Sequence, residues 1–376
     1  MVLLAGAGLM LRSLDRLLAV NVGIRPEGVV TVRVAMPPTG YRPDSASVFY
    51  AQLLERLGAT PGVEDVALGN CPPLNGGCNG TVIWFRDRPP VAEGSEPLVG
   101  VHHVSPDYFK TLGVPLIRGR SFTPADRRGT PKVVVINQTA AKRFWPNKDP
   151  IGAGIAVGQG GFHDQAEVIG IVADVLFQTA EDEPQPDVFM SYLQAPRASA
   201  LLYVRTSLPP ATMLPRIREL VRGLDPALPL YDVRTMDERV RLATVRQRFT
   251  GAVLSGFALV ALVLAAAGVY ALVAYEVARR TREIGIRMTL GARPTGILGL
   301  VLRRGGRLAA LGLALGLGAA WALARTIRSL LFEIEPGDPA TFAGVAAVLA
   351  AAAFAACLAP GVRAARTHPM QAIRRE

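Results

Sequence analysis

The sequence is poor in cysteine, in aromatic residues and in lysine, and it lacks several common catalytic motifs. It has three cysteines, 6% aromatic residues and four lysines among 376 residues. No HExxH, GxSxG or GxxxxGK[ST] pattern occurs, which excludes the usual metalloprotease, hydrolase and nucleotide-binding signatures. The formal charge of +11 comes mainly from arginine. No zinc-finger spacing, RNP-type aromatic motif or heptad basic region accompanies it, so we expect no nucleic-acid partner.

The histidines are poor candidates for a catalytic or metal site. His102 and His103 are adjacent, so in an extended segment they face opposite sides and cannot share a ligand. His163 lies in the stretch GQGGFHD, which has neither GxGxxG nor Walker A spacing. We therefore predict no catalytic residue and no metal site, and we expect surface or packing roles for these side chains.

Two of the cysteines are close in sequence. Cys71 and Cys78 flank six residues rich in Gly and Pro, which can bend back between them. In an oxidising compartment this spacing favours a disulfide. The alternatives are two unpaired residues in a loop, or a zinc site completed by His102 or His103, for which no spacing signature exists. Cys357 lies in an apolar window and is expected to be a reduced packing residue.

Three long uncharged windows stand in the last third of the chain. They cover residues 249–275, 308–324 and 339–360. Each is near the length of about 17 to 25 residues that a membrane-spanning helix needs. The shortest is flanked by Arg307 and Arg325, which can snorkel to the membrane surface. The apolar run 1–11 is about half a span, so we predict that residues 1–20 are the end of a truncated first transmembrane helix.

Arginine marks the side of the membrane that faces the cytoplasm. The connection 276–307 and the tail 361–376 are rich in arginine, so both are expected inside the cell. The loop between the last two windows is acidic and fits the outer side. The long polar segment 21–245 is then extracytoplasmic, in a multi-pass membrane protein.

The extracytoplasmic segment has a mixed α+β pattern. Residues 29–70 and 200–235 both follow the order strand, helix, strand, as in a split ferredoxin-like module. Residues 75–195 are richer in strands and are predicted to form an inserted second subdomain. Its candidate strands cover residues 81–85, 99–104, 132–137, 167–174 and 188–192.

The basic connection 276–307 has a helical pattern of its own. Glu283 with Arg287, and Ile284 with Met288, are i,i+4 pairs on a helix. Gly and Pro residues further on predict a break before a second short helix. One interpretation is a loop whose charge holds it in the cytoplasm. The other is a contact site for a partner that supplies the missing nucleotide chemistry.

Resemblance to a known family favours the partner site. RRTREIGIRMTLGA resembles the signature that follows the second helix of FtsX-like permease domains, with Thr289 in place of the usual Ala. VSPDYFKTLGVPLIRGRSFTPAD, VVVINQTAAKRFWPNKDPIG and VIGIVADV are similar to the periplasmic core domain of macrolide-exporter-type permeases. DPALPLYDVRTMDERV, SLLFEIEPGDPATFAG and APGVRAARTHPMQAIRRE resemble further landmarks. The chain is most similar to the C-terminal half of a duplicated permease that lacks an ATPase domain.

The resemblance implies a type VII ABC transporter permease in a bacterial inner membrane. Its fold would be a four-helix transmembrane unit, with the first helix truncated and a large α+β extracytoplasmic domain of two subdomains between helices 1 and 2. ATP and Mg would be bound by a separate cytoplasmic ATPase dimer, and no cofactor by this chain. Further implied partners are membrane lipid and a second permease unit, as a homodimer or a duplicated half. A periplasmic adaptor and an outer-membrane channel are candidates.

The implied mechanism is mechanotransmission, in which hydrolysis by the ATPase moves the extracytoplasmic domain and expels cargo. The residues expected to couple to the ATPase are Glu283, Ile284, Gly285, Arg287, Met288, Gly291 and Ala292. Ile284 and Met288 would fill an apolar groove on that partner. Gly312 and Gly316 are expected to allow close helix packing. The uncharged spans argue against a secondary transporter with an ion path.

Two other functions stay open at this point. One is a transmembrane signalling scaffold that activates an extracytoplasmic partner, such as a cell-wall hydrolase, without transport. The other is a membrane-anchored enzyme, which the lack of a catalytic constellation disfavours.

Overall fold

A computed structural model describes most of the chain. The described residues are 1–18, 20–36, 43–77, 80–89, 91–92, 94–158, 166–179, 182–280, 283, 286, 294–324 and 337–365. The chain divides into two compact units. We call residues 1–19 together with 245–376 the membrane unit, and residues 20–244 the α/β domain.

The described residues form nine helices and eleven strands. The helices are α1 (Val2–Leu18), α2 (Pro43–Gly58), α3 (Tyr108–Leu112), α4 (Gln138–Phe144), α5 (Pro210–Leu224), α6 (Met236–Ala243), α7 (Val245–Arg279), α8 (Pro294–Ala324) and α9 (Pro339–Ala365). The strands are β1 (Val29–Ala35), β2 (Val63–Gly69), β3 (Gly80–Phe85), β4 (Leu98–Val104), β5 (Leu116–Gly119), β6 (Val133–Asn137), β7 (Gly154–Val157), β8 (Ala166–Val172), β9 (Asp187–Ser191), β10 (Ser199–Thr206) and β11 (Leu230–Thr235).

The membrane unit is entirely helical where it is described. Stretches of α7, α8 and α9 are long and apolar enough to cross a membrane, and these are the only three such stretches among the described residues. The shorter α1 packs against all three. Arg12 of α1 donates a hydrogen bond to Asp338, which also accepts from the amide of Thr341 at 2.9 Å and so caps the start of α9.

Two of these helices run further than the apolar windows suggest. α7 has 35 residues and α8 has 31. The predicted second short helix of the connection is the first part of α8, because nothing between Pro294 and the apolar window interrupts the helix. Pro294 occupies the first helical position, where its missing N–H costs nothing.

The α/β domain contains a four-stranded group in the order β11-β1-β10-β2. All its pairings are antiparallel. α2 and α5 cover one face, where Val32, Leu53 and Ile217 are fully buried in a common core. The other face packs against α3 and α6, with Tyr108 and Met236 fully buried. Both faces of the strands are therefore covered.

Six further strands pair in a closed ring. Following the hydrogen-bonded neighbours gives β3, β4, β9, β6, β8, β7 and then β3 again. Alternate residues such as Val101, Val134 and Val188 point to a shared apolar interior. β5 pairs with β8 outside the ring. All five predicted strands of residues 75–195 are present, whereas β5 and β7 were not predicted.

A narrow seam joins the ring to the four-stranded group. The pairing of β2 with β4 rests on one residue pair, Gly69 with Val104. Ser105 reinforces it, since its amide donates to the carbonyl of Leu68 at 3.0 Å and its Oγ accepts from the Leu68 amide at 2.9 Å. The eleven strands thus belong to one sheet.

Candidate functional site

The candidate coupling segment starts where α7 ends. Arg280 lies between two carboxylates, with its guanidinium 3.7 Å from Oε1 of Glu276 and 3.7 Å from Oε2 of Glu283. Its amide donates to the Glu276 carbonyl at 3.2 Å, so helical geometry continues past Arg279. Exposed ion pairs of this kind contribute about 0 to 1 kcal/mol each. They orient the side chains more than they stabilise the helix.

Most of the predicted coupling residues lie outside the described residues. This holds for Ile284, Gly285, Arg287, Met288, Gly291 and Ala292, so their contact with an ATPase stays a prediction. Glu283 is described, as is Ile286, whose side chain is 47% exposed. Ile286 is not among the predicted coupling residues, although the alternation of isoleucine in EIGIRM is a visible signal. An exposed isoleucine outside the apolar windows offers surface for a partner.

The predicted packing glycines lie in different surroundings. A methyl group on Gly316 would lie 2.5 Å from Cγ of Met1, so the residue before α1 approaches α8 closely there. A methyl group on Gly312 would meet no atom within 4 Å, so this chain makes no tight contact at that position. Gly305 was not predicted, yet a methyl group there would lie 2.6 Å from Sγ of Cys357. The close contact between α8 and α9 is therefore at Gly305.

Gly312 lines an apolar cavity in the membrane unit. The cavity has a volume of about 660 Å³ and is bordered by α7, α8, α9 and Met1. None of its lining residues carries a charged side chain. A lining without charged side chains gives an ion no charged partner.

His102 and His103 are both buried, and they have different partners. Nε2 of His102 lies 2.8 Å from Oδ1 of Asp187, and its ring stacks on Phe177 with 3.6 Å between centroids. Nε2 of His103 accepts hydrogen bonds from Arg197, the shorter at 2.9 Å. Burial, reinforced by the Arg197 charge, lowers the pKa of His103 to about 3. His103 is therefore neutral at ordinary pH, and both histidines pack in the domain interior rather than on its surface.

The side chains around His102 and His103 make structural contacts. Gly100 leaves the space that the Asp187 carboxylate occupies, and no group of three or more His, Cys, Asp or Glu side chains suited to a metal ion occurs among the described residues. The zinc alternative also involves Cys78, so it is not tested by these residues. Cys71 is disulfide-bonded and Cys357 is free and buried. Cys78 lies outside the described residues, so the pairing of Cys71 with Cys78 stays a prediction.

Comparisons with known proteins cover most of the chain. A family profile described as "MacB-like periplasmic core domain" matches residues 4–224, and one described as "FtsX-like permease C-terminal" matches residues 255–369. The chain is 28% identical over 295 residues to "Probable export ATP-binding/permease protein MacB" of Pseudomonas entomophila. It is 26% identical over 287 residues to "Macrolide export ATP-binding/permease protein MacB" of Agrobacterium fabrum.

The matched regions make up a larger share of this chain than of the two relatives. They cover 74% and 73% of this chain but only 42% and 43% of the two relatives, so the chain spans less than half the length of these relatives. Among solved structures, the periplasmic region of MacB from Actinobacillus actinomycetemcomitans matches with a TM-score of 0.41 and 15% identity. That match covers 62% of this chain and 98% of the other.

Proposed function

Because the chain belongs to the family of FtsX/MacB-type ABC permeases, we propose that it couples ATP hydrolysis by a separate cytoplasmic ATPase to movement of its α/β domain. Permeases of this family are inner-membrane proteins with a periplasmic domain, so the α/β domain is periplasmic. The membrane-type helices and the periplasmic α/β fold agree with this family. The proposed output is export of a substrate, by mechanotransmission.

The observation that carries the proposal is the continuity of α7. This helix begins at Val245, directly after the α/β domain, and its last residue is followed by the basic segment. A helix rises 1.5 Å per residue, so 35 residues span roughly 50 Å, more than the hydrocarbon core of about 30 Å. One stiff element therefore links the cytoplasmic side to the periplasmic domain.

The energy source in this proposal is a second protein. Both relatives are named as ATP-binding proteins and permeases, whereas this chain matches only their permease part and has no GxxxxGK[ST] motif. We propose that an ABC ATPase dimer binds ATP and Mg beneath the membrane unit, and that this chain is not itself catalytic. A second permease unit would complete the complex, and a periplasmic adaptor with an outer-membrane channel would carry cargo onward.

We propose further that α1 with α7, α8 and α9 forms the four-helix unit of one permease half. The packing of α1 against all three other helices supports this count. The same segment that resembles the family signature, Arg279 to Ala292, would be the contact with the ATPase. Glu283 pairs with Arg280 just beyond the end of α7, and Ile286 adds exposed apolar surface.

The test is to place a charge in the proposed apolar contact. Ile284→Asp should abolish recovery of an ABC ATPase with the tagged chain from native membranes, and should remove stimulation of ATP hydrolysis. Burial of an uncompensated carboxylate costs several kcal/mol, so at least a hundredfold loss of complex is expected.

The matched control is Val48→Asp, which makes the same kind of change at a 58% exposed position of the periplasmic domain. It should leave the complex intact, and both variants should insert into the membrane normally. An Ile284→Asp chain that still recovers and stimulates the ATPase would overturn the proposed contact. The tagged chain can also recover a periplasmic protein from the same membranes. If that protein is a cell-wall hydrolase rather than an export component, the output is signalling and not export.

A further inference from the structure

The chain passes between the membrane unit and the periplasmic domain twice. It enters the domain through residues 20–28, which follow α1, and it leaves through α6, which precedes α7. A helix movement can reach the sheet only if these two connections are fastened to it. In each connection, one arginine makes several of the hydrogen bonds to the sheet.

Arg239 fastens the exit. Its side chain is only 6% exposed, and Nε donates to Oγ1 of Thr31 in β1 at 2.9 Å. One terminal nitrogen donates to the carbonyl of Asp232 in β11 at 3.0 Å and to Oδ2 of the same residue at 2.7 Å. Thr31 in turn donates to the carbonyl of Arg234 at 2.9 Å. α6 is thus tied to two adjacent strands through a buried, charge-assisted network.

The local backbone is shaped for this contact. Asp232 has a φ of 51°, which is the left-handed region that non-glycine residues rarely adopt. The register between β1 and β11 shifts at the same place, between Thr31 and Arg33. The irregularity brings both the carbonyl and the carboxylate of Asp232 to one guanidinium nitrogen. Strain of this kind persists where surrounding contacts over-determine it.

The exit contains almost no loop. Thr235 caps the start of α6 by accepting from the amide of Glu238 at 3.1 Å, and Met236, the first residue of α6, is fully buried. Thr244 is the residue after α6, and α7 begins at Val245. Slack between the buried Arg239 and the first residue of the membrane helix is therefore limited to about one turn of helix and one linking residue.

Arg205 fastens the entry in a similar way. It lies in β10, and its Nε donates to the carbonyl of Thr111 at 2.8 Å. Its two terminal nitrogens donate to the carbonyls of Glu27 at 2.8 Å and Arg25 at 2.9 Å. The amide of Arg25 also donates to Leu112 at 2.7 Å. Three backbone carbonyls, two of them in the entry segment, therefore converge on one side chain.

We propose that Arg205 and Arg239 are clamps that transmit displacement of α1 and α7 to β1 and β10 of the periplasmic domain. The two strands are direct neighbours, with Val29 opposite Arg205, so both clamps act on the same part of the sheet. The inference rests on the proposed function and assigns its periplasmic end. It makes both arginines positioning residues, which act through the strands they hold.

The first test measures hydrogen exchange of the full chain in nanodiscs. Arg239→Met should raise amide exchange in α6 at least tenfold, and Arg205→Met should do the same for residues 20–28, while β2 and α2 keep their rates. The control is Arg120→Met, which removes a bidentate pair with Asp126 (2.8 and 2.9 Å) elsewhere in the domain. It should leave both segments unchanged. Unchanged exchange in α6 of Arg239→Met would overturn the clamp.

The second test separates transmission from stability. In the complex recovered with the ATPase, Arg239→Met should still hydrolyse ATP. The change in hydrogen-exchange rate that ATP causes in the periplasmic domain should be at least tenfold smaller than in the wild type. Arg239→Lys, which can still reach Asp232, should recover part of that change. If Arg239→Met shows the full ATP-dependent change, the clamp proposal is overturned but the proposed function is not. A wild-type complex with no ATP-dependent change would instead overturn the proposed function, whatever α6 does in the first test.

Discussion

A single methyl group at Gly100 should disturb a buried hydrogen bond of the periplasmic domain. A Cβ placed there would lie 2.1 Å from Oδ1 of Asp187 and 3.2 Å from Nε2 of His102. The backbone around Asp187 has little freedom, because its amide donates to Oδ1 of Asn137 at 3.0 Å and Pro186 accepts from the Gly100 amide at 2.9 Å. The carboxylate must therefore rotate away in Gly100→Ala, which breaks its hydrogen bond to His102.

Two opposing effects set the size of the change. A hydrogen bond to a charged group contributes about 1.5 to 3 kcal/mol, and here both partners stay buried after it breaks. Replacing Gly by Ala inside a strand gains about 0.5 to 1 kcal/mol from backbone entropy. The loss exceeds the gain, so we expect Gly100→Ala to lower the free energy of unfolding by about 1 to 2 kcal/mol.

The assay is guanidinium unfolding of the full chain in nanodiscs, followed through Trp84 and Trp145 of the periplasmic domain. A double-mutant cycle with Asp187→Ala identifies the cause. Without the carboxylate, Gly100→Ala should cost less than about 0.5 kcal/mol, so the coupling between the two changes should exceed about 1 kcal/mol. Equal costs in both backgrounds, or a more stable Gly100→Ala, would show that the methyl group does not act through the Asp187 carboxylate.

Two further predictions concern pH and oxidation. Burial, together with Arg197, lowers the pKa of His103 to about 3, whereas an unfolded histidine has a pKa of about 6.5. As the pH falls from about 6.5 to about 3, only the unfolded chain gains this proton. The domain therefore loses stability across that pH range. His103→Gln keeps an acceptor for Arg197 and should flatten the pH dependence of the free energy of unfolding by up to about 1.4 kcal/mol per pH unit. An unchanged slope would contradict the assignment. Thiol labelling with mass spectrometry should find one free thiol in oxidised protein, at Cys357, and a count of three would disprove the bridge between Cys71 and Cys78.

The parts of the fold that could be predicted are those that a local sequence pattern indicates. The apolar windows predicted α7, α8 and α9, and alternation in stretches such as VVTVRVA predicted β1. β5 and β7 escaped because each has only four residues. All four residues of β5 are exposed, and the alternating burial of β7 covers only two periods, which is too short to stand out in the sequence. The closed ring depends on the parallel pairing of β4 with β9, whose partners Gly100 and Asp187 are 87 positions apart. No local pattern records a pairing of that range.

The site was predictable to a smaller extent for the same reason. Glu283 could be assigned because the family signature is contiguous in sequence. The partners of His102 and Arg239 could not, since Asp187 is 85 residues away from the first and Thr31 is 208 residues away from the second. In a chain this rich in arginine, a buried arginine has no compositional mark. Only the folded sheet shows which arginines hold it together.

The ring of six strands has a consequence for where the sheet can be changed. Each strand of the ring pairs with two others in it, so the ring has no free edge. Strand pairing with the rest of the sheet is limited to Gly69 with Val104, next to the hydrogen bonds between Leu68 and Ser105. Changes within the ring can therefore leave the pairing of β1 with β10 as it is.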